Sequence, residues 1–316
     1  MKVKLIEPLG IPKELIEELS KPIKDMGHEF VYYDEKTTDV KELSKRSKDA
    51  DIVMIANNPY PAQAIQNADS LKLINVAFTG VDHVAIDEAK EKDIEICNAA
   101  GYSDQAVAEL AVGLTLDLFR QITKGDSDIR KEDFPGAVMG REIMDKKVGI
   151  IGTGNIGMKT AKLFNAFGAD VIAYSRTQRE DAEALGISYV ELDELLEKSD
   201  IISIHLPLNK HTKGFLDKKK LEKINSNAVL INCARGPIID NDALADLLNK
   251  GEILGAGLDV FDMEPPIPSD YPLLSAKNAV MTPHVAYLTE ESMVRRAKIA
   301  FDNTISYLQG NPKNII

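Results

Sequence analysis

Cysteine is scarce in this chain. Only Cys97 and Cys233 occur in 316 residues, so no disulfide scaffold holds the fold together. Both sit at the ends of apolar runs and read as buried thiols of a reducing compartment. Positive charge is also in deficit: 38 Lys and Arg against 50 Asp and Glu give a net charge of −12. That balance excludes a wide nucleic-acid footprint or an anionic membrane partner, yet it permits a local cationic pocket for a small anion. No apolar run reaches the ~18 residues of a membrane helix. The first eight residues, Met-Lys-Val-Lys-Leu-Ile-Glu-Pro, lack the apolar stretch of a signal peptide, so a cytoplasmic location is expected. His28, His83, His205, His211 and His284 show no ligand spacing, and no cysteine or carboxylate cluster accompanies them, so no metal is expected. Repeats and low-complexity tracts are missing as well.

What is present is a rhythm. The length suggests about two domains, and 44% hydrophobic with 28% charged residues is ordinary for a globular protein. Short apolar runs at 3–6, 52–56, 73–77, 94–97, 148–151, 171–174, 201–206, 229–232, 254–259 and 279–282 alternate with longer amphipathic stretches. The runs are continuous, as in parallel strands covered on both faces, and the alternation predicts an α/β fold of doubly wound parallel sheets. The helix expected over 103–120 is apolar nearly all round, which places it either inside the fold or against a second subunit. A last helix is expected over 289–309, capped by Thr289 and stopped by Gly310 and Pro312.

After the run 148–151 come Gly152, Thr153, Gly154, Asn155, Ile156 and Gly157, followed by a helical stretch. In that strand–turn–helix context GxGxxG predicts a dinucleotide site. Gly152 permits the turn, Gly154 admits a pyrophosphate to the backbone, and Gly157 lets helix and strand approach. The next strand discriminates the cofactor. An NAD site usually ends it with an acid for the ribose hydroxyls; here Ser175, Arg176 and Thr177 stand instead, and no acid precedes Glu180. Charge complementarity favours NADP over NAD, although an Arg176 turned to solvent would leave both acceptable.

Three later strands each run into an ionisable residue: Asn232-Cys233-Ala234-Arg235-Gly236, Asp259-Val260-Phe261-Asp262-Met263-Glu264-Pro265, and Thr282-Pro283-His284. In an open α/β sheet ligands bind beyond the carboxyl ends of strands. An arginine fork grips a carboxylate, a histidine exchanges a proton near neutral pH, and a carboxylate beside it favours the imidazolium. Singly, Arg235 reads as a surface ion pair, Glu264 as a turn residue and His284 as a structural histidine; their joint placement behind a nucleotide-binding loop points to a reaction centre.

The order of these motifs resembles the D-isomer-specific 2-hydroxyacid dehydrogenase family over nearly the whole chain. The resemblance implies a Rossmann cofactor domain, residues 100–285, inserted into a flavodoxin-like catalytic domain made of residues 1–99 and 286–316. It implies that Arg235 binds the substrate carboxylate and polarises the 2-oxo carbonyl. His284 then gives a proton to the carbonyl oxygen as hydride arrives from the nicotinamide, and Glu264 keeps His284 cationic. The loop with Phe78, Thr79 and Gly80 resembles the family's carboxylate-binding loop. Cys233 and Asp259 match positions at the nicotinamide end, and Leu206, Pro207 and Thr212 match positions lining the cofactor cleft. Tyr287 resembles the aromatic of D-lactate-type members, and the helix over 103–120 corresponds to the dimer-forming region, so a homodimer is expected. Val76 stands where phosphoglycerate dehydrogenases carry arginine, and Phe78 is bulky, which favours a small or apolar 2-oxo acid over a phosphorylated one. A second reading is a nucleotide-sensing interaction protein on the same fold, as the family's corepressors are; no disordered or basic extension supports it.

Overall fold

The computed structural model describes residues 1–131, 136, 138–263 and 266–316. It divides into two units, residues 1–103 with 288–316, and residues 104–287. In the first, β1 (Lys2–Leu5), β2 (Glu29–Tyr32), β3 (Ile52–Ile55), β4 (Leu73–Val76) and β5 (Glu95–Asn98) pair in the order β2-β1-β3-β4-β5, every pair parallel. This is the flavodoxin-type order. The last helix, Glu290–Leu308, packs back on this sheet. Buried Asn75 of β4 donates to the Ala300 carbonyl at 2.6 Å and to Thr304 Oγ1 at 2.8 Å. Thr289 caps that helix as the sequence predicts, in a reciprocal box: Thr289 Oγ1 accepts the Ser292 N–H, and Ser292 Oγ accepts the Thr289 N–H.

Among the described residues the second unit holds seven strands. They are β6 (Lys147–Ile151), β7 (Asp170–Tyr174), β8 (Ser188–Tyr189), β9 (Ile201–Ile204), β10 (Val229–Asn232), β11 (Gly255–Leu258) and β12 (Ala279–Met281). Their order is β12-β11-β10-β9-β6-β7-β8, all parallel. Continuous apolar runs follow from two-sided burial. Val148, Ile150, Ile201, Val229 and Ile231 face one core, while Ile151, Ile202, Ile204 and Leu230 face the other.

All ten runs predicted from sequence become strands. The two that escaped, β2 and β8, are edge strands whose residues are only partly buried or exposed, so neither shows the apolar signature. The run 201–206 ends as a strand at Ile204, three residues ahead of Pro207, which has no N–H to pair. The helix Asp104–Arg120 spends its apolar girth largely within its own unit. Val107, Ala111, Leu114 and Phe119 share a core with Val148 and Ile231. It lies close over β11 because that strand offers glycines there: a Cβ on Gly257 would stand 2.9 Å from Leu114 Cβ, and one on Gly255 3.0 Å from Leu118 Cδ2. Among the described residues no helix is long and apolar enough to cross a membrane.

The Gly257 contact yields a prediction. Leu114 Cβ is fixed to its helix and cannot swing away, so Gly257→Val should overpack this layer and cost about 2–3 kcal/mol, measured by urea unfolding.

Candidate active site

Because every strand of the second unit points the same way, the loops leaving β6, β7, β9, β10, β11 and β12 gather at one edge of the sheet. β6, flanked by β7 and β9, marks the switch point where chain order reverses. There the backbone turns at Gly152, φ 97°. A Cβ on Gly152 would meet the His205 carbonyl oxygen at 2.6 Å, and one on Gly157 would meet the Gly152 carbonyl oxygen at 2.0 Å; on Gly154 nothing lies within 4 Å. Gly154 precedes the helix Asn155–Ala166 with no side-chain cap, so the N–H groups of its first turn, from Asn155 and Ile156 onward, have no helical partner. An open cradle at an uncapped helix start fits a pyrophosphate, and the residues present therefore fit a dinucleotide.

Beyond β7, Ser175 is partly buried while Arg176 and Thr177 are exposed. No acid follows until Glu180, which begins a short helix, Glu180–Glu183. Leu206 lies against the turn, its Cδ2 3.0 Å from the position of a Gly152 Cβ. Pro207 is exposed. Thr212 is engaged elsewhere: its hydroxyl donates to the Pro207 carbonyl at 2.5 Å and accepts the Asn209 N–H at 2.8 Å, closing the loop after β9. Burial pushes the His205 imidazole down to about 3, and its Nε2 shares a 2.8 Å hydrogen bond with Ser203 Oγ.

The arginine is presented by a turn that buried Asn232 shapes. Asn232 Nδ2 donates to the Arg235 carbonyl and its Oδ1 accepts the Ala234 N–H, both at 3.0 Å. Arg235 is half-buried, and its Nη1 donates to the Ala234 carbonyl at 2.8 Å. Gly236 must be glycine, since a Cβ there would lie 1.9 Å from the Phe261 carbonyl oxygen. Two residues missed in the sequence brace the neighbouring loop: Asn241 Nδ2 donates to Asp262 Oδ1 at 2.8 Å and Tyr271 donates to Asp262 Oδ2 at 3.0 Å. Cys233 is buried, and burial holds its thiol well above the ordinary range.

Asp259 organises the histidine loop. Its Oδ1 accepts the Thr282 hydroxyl at 2.6 Å and the Val285 N–H at 2.8 Å, its Oδ2 accepts the Ala286 N–H at 2.8 Å, and its carbonyl accepts the His284 N–H at 2.8 Å. Burial raises this carboxyl above its usual range, opposed by those same donors. Between them His284 sits at φ 53°, in the left-handed region that side chains other than glycine seldom occupy. Its ring meets Tyr287 edge-on, centroids 5.5 Å apart. Glu264 lies outside the described residues.

In the first unit, Phe78 is buried between His83 and Tyr102, with ring centroids at 6.1 and 6.0 Å. Thr79 gives its carbonyl to Asn98 Nδ2 at 2.8 Å, and its buried Oγ1 has no hydrogen-bond partner. Gly80 follows, partly buried.

A glycine cradle at the switch point, with Arg235 and a strained histidine in loops just beyond strands of the same sheet, agrees with comparison against known proteins. The family profile described as "D-isomer specific 2-hydroxyacid dehydrogenase, NAD binding domain" matches residues 112–286. The chain belongs to the D-isomer-specific 2-hydroxyacid dehydrogenase family. It is 34% identical over 307 residues to a hydroxypyruvate reductase of Blautia hydrogenotrophica, covering 94% of each chain. It is 37% identical over 278 residues to a glyoxylate reductase of Thermofilum pendens, covering 85% of this chain and 82% of that one. Among solved structures, an acyclic imino acid reductase in complex with NADPH and D-Arg superposes with a TM-score of 0.88 at 32% identity, over 100% of both chains. As a member of this family the protein is an oxidoreductase with a domain for a nicotinamide cofactor.

Asp259→Asn should expose how much the histidine loop leans on the carboxylate. An amide cannot accept all three bonds, so stability should fall by about 1–3 kcal/mol in urea unfolding at neutral pH.

Proposed function

We propose that this dehydrogenase reduces a small 2-oxo acid to the D-2-hydroxy acid, with NADPH in preference to NADH. The observation that carries the reading is the gathering of Arg235 and His284 at the strand edge that also bears the glycine cradle. The nicotinamide, when bound, supplies the hydride. Arg235 holds the substrate carboxylate and draws electron density from the neighbouring carbonyl. His284 donates a proton to the carbonyl oxygen as that carbon is reduced, and Glu264 keeps the imidazolium charged between turnovers. By the family resemblance the loop with Phe78, Thr79 and Gly80 is the carboxylate-binding loop, and Tyr287, edge-on to the His284 ring, is the aromatic that limits the size of the substrate tail.

The names of the relatives, glyoxylate and hydroxypyruvate reductases, support the small end of the substrate range. The absence of an acid directly after β7, with exposed Arg176 beside Ser175 and Thr177, supports NADPH, as does the NADPH named with the similar imino acid reductase. Gly152, Gly154, Asn155, Ile156 and Gly157 would hold the pyrophosphate, with Leu206, Pro207, Cys233 and Asp259 toward the nicotinamide; Thr212 supports that wall through its loop. Units 104–287 and 1–103 with 288–316 are thus assigned to cofactor and substrate respectively.

The test is loss of reduced-nicotinamide absorbance with NADPH and NADH, against glyoxylate, hydroxypyruvate, pyruvate, 2-oxoisocaproate and phenylpyruvate. Turnover fastest on the first two with NADPH is the expected result. Turnover appearing only when an amine is added would move the activity to imine reduction. His284→Ala should lower kcat at least ~100-fold, and Arg235→Ala should abolish reduction while cofactor binding persists; full turnover in either variant would remove that residue's assignment.

Pairing of two chains belongs to the same proposal. Large apolar side chains stand exposed on and beyond the helix Ile122–Arg130: Ile122, Ile129, Val138, Met144 and, 95% exposed, Met139. Such a surface suits a second copy. The pair Ile129→Asp and Met139→Asp should convert a two-chain mass to a one-chain mass in light scattering.

A further inference from the structure

The four residues 175–178 that follow β7 are tied at both ends to consecutive residues of the glycine loop. At the near end, the Gly152 N–H donates to the Tyr174 carbonyl at 2.8 Å. At the far end, the Arg179 N–H donates to the Tyr189 hydroxyl at 3.0 Å, and that hydroxyl in turn donates to Thr153 Oγ1 at 2.9 Å. Thr153 is buried, and Tyr189 sits in the two-residue edge strand β8, opposite Ala173 of β7. The guanidinium of Arg179 is occupied by Asp181, Nε to Oδ1 and Nη2 to Oδ2, both 2.8 Å. Its charge is therefore neutralised locally, and Arg176 is the cation the segment presents outward.

We propose that Tyr189 is a positioning residue that sets the preference for NADPH, acting by fixing residues 175–178 to the glycine loop. This rests on the cofactor reading above. In a dinucleotide the pyrophosphate and the 2′ substituent hang from one ribose, so their separation is set by covalent bonds. A site that reads both must hold its two halves at that separation before the ligand arrives. The Tyr189 hydroxyl, accepting from one half and donating to the other, supplies the hold. NADH, which offers no 2′-phosphate to Ser175, Arg176 and Thr177, is indifferent to it.

Tyr189→Phe keeps the ring in β8 and removes both bonds. Cofactor affinity is read from nicotinamide fluorescence, and kcat from saturating assays. The expected result is an NADPH Kd raised about tenfold, the weight of one or two hydrogen bonds, an NADH Kd changed less than twofold, and kcat nearly unchanged. Thr153→Val should shift the NADPH-to-NADH ratio in the same direction, and the double variant should add nothing further. Equal weakening of both cofactors would overturn the proposal, since the tie would then merely support the glycine loop; an unchanged ratio would overturn it too. A wild-type protein that binds neither cofactor, or favours NADH, overturns the cofactor reading itself and is recognised before any variant is made.

Discussion

Parallel pairing across all seven strands of the second unit is the constraint from which the site follows. A parallel strand can return only through a crossover, so each amino end enters from one side and every carboxyl end leaves on the other. Loops that lie far apart in sequence, from Gly152 to His284, are thereby delivered to a single edge without any contact between them having to be selected for that purpose. The switch between β6 and β9 opens the crevice at that edge, and the close approach of Gly157 to the Gly152 carbonyl keeps the helix start in line with it.

Within that frame the histidine is held by a buried carboxylate rather than by packing alone. A left-handed φ at His284 costs about 1 kcal/mol or more, and the three bonds that Asp259 accepts, two of them from the residues just after the histidine, outweigh it. The strain sits on the residue to which proton transfer is assigned, the usual place for backbone distortion when surrounding structure over-determines it.

Much of this was legible in the sequence, for physical reasons that also explain the gaps. Two-sided burial writes continuous apolar runs, so ten strands could be read, and the Thr289 cap marks its helix because the unpaired N–H groups there demand an acceptor. Edge strands such as Glu29–Tyr32 and Ser188–Tyr189 carry no such mark. With β8 unread, the bond from Tyr189 to Thr153 had no signal at all. The side chains of Thr212 and Asp259, cofactor positions by the family resemblance, bond to loop backbone and, for Asp259, also to the Thr282 hydroxyl; residue type and spacing do not reveal such bonds. Asn232, Asn241 and Tyr271 escaped for the same reason. The buried, unpartnered hydroxyl of Thr79 is likewise a property of packing, not of pattern.

The absence of a side chain at Gly236 has a consequence for how such a protein can change. Backbone meets backbone there, the arginine turn resting directly on the carbonyl of Phe261, so neither loop can drift without carrying the other. Inheritance of altered chemistry through that contact is closed to single substitutions. Variation is left to positions such as the exposed 176 and 177, where a new side chain displaces nothing. The same edge of the sheet thus holds a part that lineages must keep and a part they are free to retune.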